Sequence, residues 1–373
     1  MQGAAQRVAD LASHTPREAV DLVTPGRQVA HQFAGTDITC MTPTTHSSSI
    51  DRRDFLKGAA AGLVILPYAD LGALGSRLFP AKTRVAVIRT SDRKDGVRRA
   101  MALLDPQGIG GKSVNIKPNF NTADNAPAGT HNDTLAQIVT ELQERGAREV
   151  VVGESSFPPT REVMESKGIF DLASDMGFGV VNYEEIPDKD WIQFKPAGTH
   201  WPDGFHLPRQ VVEPEYLIST CCLKTHGSGG VFTMSLKLSV GLTPKNIRRG
   251  MHRSPDMRRM IAELNQGYVP NLIIMDGVAA FTDGGPSRGQ LAQANVFVAG
   301  TDRVAVDAVG LAVLKELGAN EAIMGTPIFQ QEQMARAVEV GLGIRGPDEI
   351  ELISDDVPGR TYAAKLGSIL AEG

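Results

Sequence analysis

Two lysines and a histidine are spread along LKTHGSGGVFTMSLK, Leu223 to Lys237, around a cluster of glycines. Lys224, Thr225 and His226 leave an apolar run, and Gly227, Gly229 and Gly230 let the backbone turn tightly and come close to a ligand. If a helix then opens near Val231, Thr233 and Lys237 share one of its faces. Such a turn suits an anion, held by backbone N–H groups and lysines. The spacing GxxxxGK[ST] is absent, so nucleotide hydrolysis is not implied.

Other apolar runs end in a similar way. SVNIK runs into Lys117-Pro118-Asn119, followed by Thr130 and His131 just before a helix capped by Asn132 or Asp133. EVVVG leads to Glu154-Ser155-Ser156, and NLIIMDG to Asp276 and the loop Thr282-Asp283-Gly284-Gly285-Pro286. Farther on, Lys245, Arg248, Arg249, His252 and Arg253 form a basic loop ahead of a helix with Ser254 as N-cap and Pro255 at its first position. Asp307 stands inside an otherwise apolar helix, where a carboxylate needs a partner.

These residues need a scaffold that gathers strand ends. Short apolar runs alternate with segments of helical period: RVAVIR (84–89), SVNIK (113–117), EVVVG (149–153), GVVNY (179–183), YLISTCCLK (216–224), NLIIMDG (271–277), NVFVAG (295–300) and IELIS (350–354). Continuous β-branched runs suit strands covered on both faces, which predicts an α/β fold. Its sheet is largely parallel or mixed, with helices on both faces, in one domain or two lobes. In such sheets ligands collect at the carboxyl ends of the strands. Segment 184–212 breaks the alternation as a β-hairpin or a lid.

Composition narrows the classes. The chain has 373 residues, 42% hydrophobic and 22% charged, with a formal net charge of -5, and acidic and basic residues are interspersed. This gives no electrostatic footprint for nucleic acid. Three cysteines are too few for a disulfide framework or an iron–sulfur cluster, and Cys221 and Cys222 read as core fillers. There is no GxSxG elbow and no HExxH motif.

Near the N-terminus, SSIDRRDFLKGAAAGLVIL pairs Arg52 and Arg53 with Phe55-Leu56-Lys57 and a short apolar run. This pattern resembles a twin-arginine (Tat) export signal, with the export machinery as partner and a periplasmic location. Cleavage is poorly defined, so an uncleaved anchor is the alternative. Residues 1–40 lack apolar periodicity, and Met41 competes with Met1 as the start. The expected division is 1–40 unstructured, 41–80 signal and linker, and 81–373 the folded body.

The succession IKPNF, TH, GES, LKTH with its glycine turn, SLK, MDG, GGP and GTDRVAVDAV is similar to the DUF362 family, bacterial and archaeal proteins of mostly undefined activity. The likeness runs from about Val114 to Gly343. It implies site positions at Lys117, Asn119, His131, Glu154, Lys224, His226, Lys237, Lys245, His252, Asp276 and Asp307. Leu238 departs from the asparagine usual after SLK, and Cys221 and Cys222 stand where relatives carry apolar residues and a proline. The ferredoxin-like extension of some relatives is missing, so no iron–sulfur cluster is inferred.

The leading expectation is an isomerase- or lyase-type enzyme for a small carboxylate or phosphate. In it Lys117, Asn119, Gly229, Gly230, Thr233, Lys245 and His252 bind, and His226, His131, Lys224 and Lys237 carry the chemistry. One competing reading is a divalent-metal site on Glu154, Asp276 and Asp283 serving hydrolytic or phosphoryl chemistry. The other is a non-catalytic anion-binding protein.

Overall fold

The computed structural model describes residues 82–373. The expected signal, the start at Met1 or Met41 and Cys40 lie outside the described residues.

Eleven strands are present in this part: β1 (Thr83–Arg89), β2 (Ser113–Lys117), β3 (Glu149–Glu154), β4 (Gly179–Asn182), β5 (Trp191–Phe194), β6 (Phe205–Pro208), β7 (Tyr216–His226), β8 (Val231–Thr233), β9 (Leu272–Gly284), β10 (Gly289–Gly300) and β11 (Ile350–Ile353). Nine of them form one sheet in the order β11-β1-β10-β9-β7-β2-β3-β4, with β8 added to β7. From β9 to β4 the neighbours along this path run parallel. The sheet turns mixed at β10, which is antiparallel to both β9 and β1.

Period-two alternation within each strand feeds a separate core on each face. Val85, Val87, Leu223, Ile273, Met275, Val296 and Val298 pack under the helices Arg303–Glu316 and Val357–Glu372. Ala86, Ile88, Val114, Ile116, Val150, Val152 and Ile274 pack against the helices Arg93–Leu104 and Asn132–Glu144. The doubly covered α/β sheet expected from the apolar runs is therefore present. Cys221 and Cys222 are buried and unbridged, as core fillers should be.

Segment 184–212 is a hairpin of β5 and β6, paired from Trp191 with Pro208 to Phe194 with Phe205. It closes a third apolar cluster with Trp201, Leu217 and the helix Met257–Leu264. Two elements differ from the sequence reading. The runs 271–277 and 295–300 are the inner halves of a long hairpin, and the outer half of β10, Gly289 to Ala294, carries glycine, glutamine and alanine and so lacks the apolar signature of a strand. The helix expected from Val231 is strand β8, and helical turn begins only at Leu236–Leu242.

One feature of the topology positions the site. After β2 the chain builds β3 and β4 on one side and then returns to lay β7 and β9 on the other. Between β2 and β7 the loops leave in opposite directions, opening a crevice at the carboxyl ends of the strands.

Candidate functional site

Lys117 ends β2 and Glu154 ends β3, and the two meet in a buried ion pair. Glu154 also accepts the amide N–H of Phe120 at 2.7 Å and of Ser155 at 2.8 Å, so its lone pairs are engaged within the protein. Burial pulls the Lys117 pKa down, and the Glu154 carboxylate opposes that shift. Gly241 leaves room for the pair, since a Cβ there would lie 2.5 Å from a Glu154 carboxylate oxygen.

Across the crevice, β7 pairs with β8 in the register Lys224 to Thr233, Thr225 to Phe232 and His226 to Val231. The turn Gly227–Gly230 therefore closes a β-hairpin, with Gly229 at φ +83°. Thr233 and Lys237 consequently do not share a helix face, although both reach the same cavity. Lys224 donates to Asn119 Oδ1 at 3.2 Å and to the Ala128 carbonyl. Burial lowers it to about 8. Lys237 is lowered to about 7, by burial first and then by the Lys224 and Arg248 charges. It has no hydrogen-bond or ion-pair partner among the described residues. His226 is lowered to about 2 by burial, with Lys237, Lys224 and His252 adding to the shift.

The basic loop folds as its own short helix, Lys245–Met251. Arg248 turns inward and donates to the carbonyls of Ser155, Ser156 and Thr243 and to the Ser155 hydroxyl, while its Nε stays unpaired. Sequence reasoning placed Arg248 in a basic loop but did not assign it to the site. His252, just past this helix, lines the cavity from a solvent-exposed position. Lys245 turns away and pairs with Glu184 at 2.8 Å. Ser254 does not cap the next helix, which starts at Met257 after Asp256, because the Ser254 hydroxyl instead accepts from the Asp256 amide.

The cavity has a volume of about 390 Å³. Among the described residues, Lys117, Lys224, Lys237 and Arg248 supply its cations, and Glu154 is its single carboxylate. Thr233 also lines it, with its hydroxyl buried and without a partner among the described residues. Pro286 and Ser287 overhang it from the β9–β10 turn, which docks on the β7–β8 hairpin through a bond from the Gly227 amide to the Gly285 carbonyl at 3.2 Å. Pro286 belongs to the GGP stretch, but Ser287 carries no charge or motif that could have flagged it.

Besides Lys245, the candidates His131, Asp276, Asp283 and Asp307 lie elsewhere, and Gly229 and Gly230 are not among the residues that line the cavity. His131 is itself the N-cap of the helix Asn132–Glu144, accepting the Asp133 amide at its Nδ1, so neither Asn132 nor Asp133 fills that role. Asp276 is buried against Arg93 at 2.8 Å and Thr134 at 2.7 Å. Asp283 is exposed and bonded to Asn320 at 2.9 Å. Of the proposed metal ligands Glu154, Asp276 and Asp283, only Glu154 lines the cavity, and each is engaged by a different partner. Among the described residues, no group of three or more His, Cys, Asp or Glu side chains is arranged to hold a metal ion. Asp307, outside the cavity, accepts the amides of Ser235 at 2.7 Å and Leu236 at 2.9 Å, tying the central helix to the segment that carries Lys237.

The thylakoid-associated protein sll1697 of Synechocystis is 24% identical over 259 residues, covering 64% of this chain and 73% of its own length. The lactate racemase apoprotein from Thermoanaerobacterium thermosaccharolyticum superposes on 78% of this chain and 87% of its own, with 12% identity and a TM-score of 0.40, a likeness too slight to transfer anything. The model of a domain of unknown function, DUF362, matches residues 114–312, a stretch that contains every residue lining the cavity. The chain belongs to the DUF362 family.

Proposed function

We propose that this protein is an enzyme for a small anionic substrate, a carboxylate or a phosphate ester, and that it moves a proton at a carbon next to the anionic group. One observation carries the reading: Lys237 is buried in the cavity beside Lys224 with no counter-ion among the described residues. Uncompensated cations cost free energy when buried, and an anion in the cavity removes that cost. Among the described residues the only carboxylate lining the cavity, Glu154, is already bonded to Lys117.

The same charges divide the work. A bound anion raises the pKa of lysines beside it, so Lys224 and Lys237 are ammonium groups in the complex. They hold the substrate and stabilise the negative charge that grows on its oxygens as a proton leaves the adjacent carbon. The proton itself is left to an imidazole. Asn119 orients Lys224. Racemisation, isomerisation and elimination share this first step.

The reading includes export through the twin-arginine stretch at Arg52 and Arg53, with the folded body in the periplasm, released or held by an uncleaved signal. Among the described residues no helix is long and apolar enough to cross a membrane.

Thermal unfolding against a panel of small carboxylates and phosphate esters tests the anion site, because a ligand of the folded state raises the melting temperature. Stabilising compounds are then incubated with the protein in D2O. Deuterium at the carbon next to the anionic group is the expected outcome. Stabilisation without exchange makes the protein a binder only, and no stabilisation by either class ends the reading.

A further inference from the structure

The two histidines that line the cavity are held by backbone groups of opposite kind. His226 Nδ1 lies 3.3 Å from the Gly230 amide nitrogen. An amide N–H only donates, so Nδ1 presents its lone pair and the proton of the neutral ring sits on Nε2. His252 Nδ1 lies 2.8 Å from the Arg248 carbonyl oxygen. A carbonyl only accepts, so here Nδ1 carries the proton and Nε2 has the lone pair. Neither Nε2 has a hydrogen-bond partner among the described residues, and both rings face one cavity.

Resting on the proton-transfer reading above, we infer that the two rings are locked in opposite tautomers, with His252 Nε2 as the proton acceptor and His226 Nε2–H as a hydrogen-bond donor to the substrate's anionic oxygen. In the forward step the C–H bond next to the substrate carboxylate breaks. Its electron pair becomes the carbon–carbon double bond of an enediolate, the carboxylate oxygens gain the charge, and the proton forms an N–H bond at His252 Nε2. Return of that proton to carbon restores both groups. No oxidant or reductant is involved.

The surroundings of each ring fit its part. His226 is buried between Lys224 and Lys237, which keeps it neutral, so it donates its N–H without accepting a second proton. A Cβ at Gly230 would fall 2.9 Å from His226 Nδ1 and 2.9 Å from Lys237 Cε, so only glycine brings the amide this close. His252 stands exposed, and a proton taken there can exchange with water. These assignments exchange the parts expected from the sequence, in which His226 carries protons and His252 binds.

The test is long-range 1H–15N NMR on the full chain with ring-labelled histidine. Eight histidines contribute, and the His226→Gln and His252→Gln variants assign two of them by loss of their cross-peaks. If either variant fails to fold, His226→Asn or His252→Asn replaces it. At neutral pH the expected result is a proton on Nε2 for His226 and on Nδ1 for His252, and the opposite tautomer or an averaged signal for either ring overturns the inference. Inorganic phosphate should shift the His226 Nε2–H resonance. Phosphate that raises the melting temperature without that shift removes the donor role and leaves the anion site standing. Tautomers as expected, with no phosphate or carboxylate stabilising the protein, end the proposed function instead. With a substrate that exchanges, His252→Gln should slow deuterium incorporation by about 10²–10⁴-fold while phosphate stabilisation is retained. Undiminished exchange in that variant overturns the assignment of the base.

Discussion

Lys117 and Glu154 form a 2.7 Å ion pair in which the side chains are 1% and 2% exposed. The pair joins the ends of two neighbouring parallel strands and forms one wall of the cavity. Removing one member of such a pair leaves the other charge buried and unmatched. Glu154→Gln should therefore cost about 3–5 kcal/mol of stability in urea unfolding. A loss below about 1 kcal/mol would mean that the pair is solvated and not a fixed wall.

Lys237 and Lys224 make stability depend on pH in a definite direction. Their folded pKa values of about 7 and about 8 lie below the ordinary 10.5, so the unfolded chain binds more protons than the folded one across that interval. Their contribution to stability therefore rises as pH climbs from about 7 toward 10.5. Lys237→Met should flatten the rise, increase stability near pH 7 and abolish stabilisation by phosphate. Identical pH slopes for wild type and variant in chemical unfolding would contradict this.

Gly230 separates the fold from the site. Gly230→Ala places a methyl group against His226 and Lys237, whose side chains must shift to admit it. The expected result is a folded protein with a lowered melting temperature, since Gly230 is buried, and anion affinity lowered by about tenfold, or ~1.4 kcal/mol. Unchanged affinity would place the ligand elsewhere in the cavity.

The proposed export rests on Arg52 and Arg53, outside the described residues. Replacing both with lysine should leave the protein in the cytoplasm, read by cell fractionation against wild type in a bacterium with a twin-arginine system. Wild-type protein that also stays in the cytoplasm would remove the export reading.

The sheet was legible because buried parallel strands are continuous β-branched runs, as at Val150–Val152 and Ile273–Ile274. The hairpin nature of Val231–Thr233 was not, since three residues after a glycine turn satisfy a strand or a helix start equally well. Only the pairing of Lys224 with Thr233 decides between them. His131 carried the same Thr-His signal as His226, yet one caps a helix and the other lines the cavity.

The amino-acid sequence alone specified an α/β body of the DUF362 kind and a set of cationic and imidazole side chains at the ends of its strands, because residue type and period are local properties of the chain. Tertiary structure alone decided which of them meet. It sent Asp276 to Arg93 and Lys245 to Glu184, brought Arg248 inward, and set the two cavity histidines against a backbone donor and a backbone acceptor. Those choices depend on contacts between residues dozens of positions or more apart, or on the direction of single backbone groups, and neither is written in local spacing.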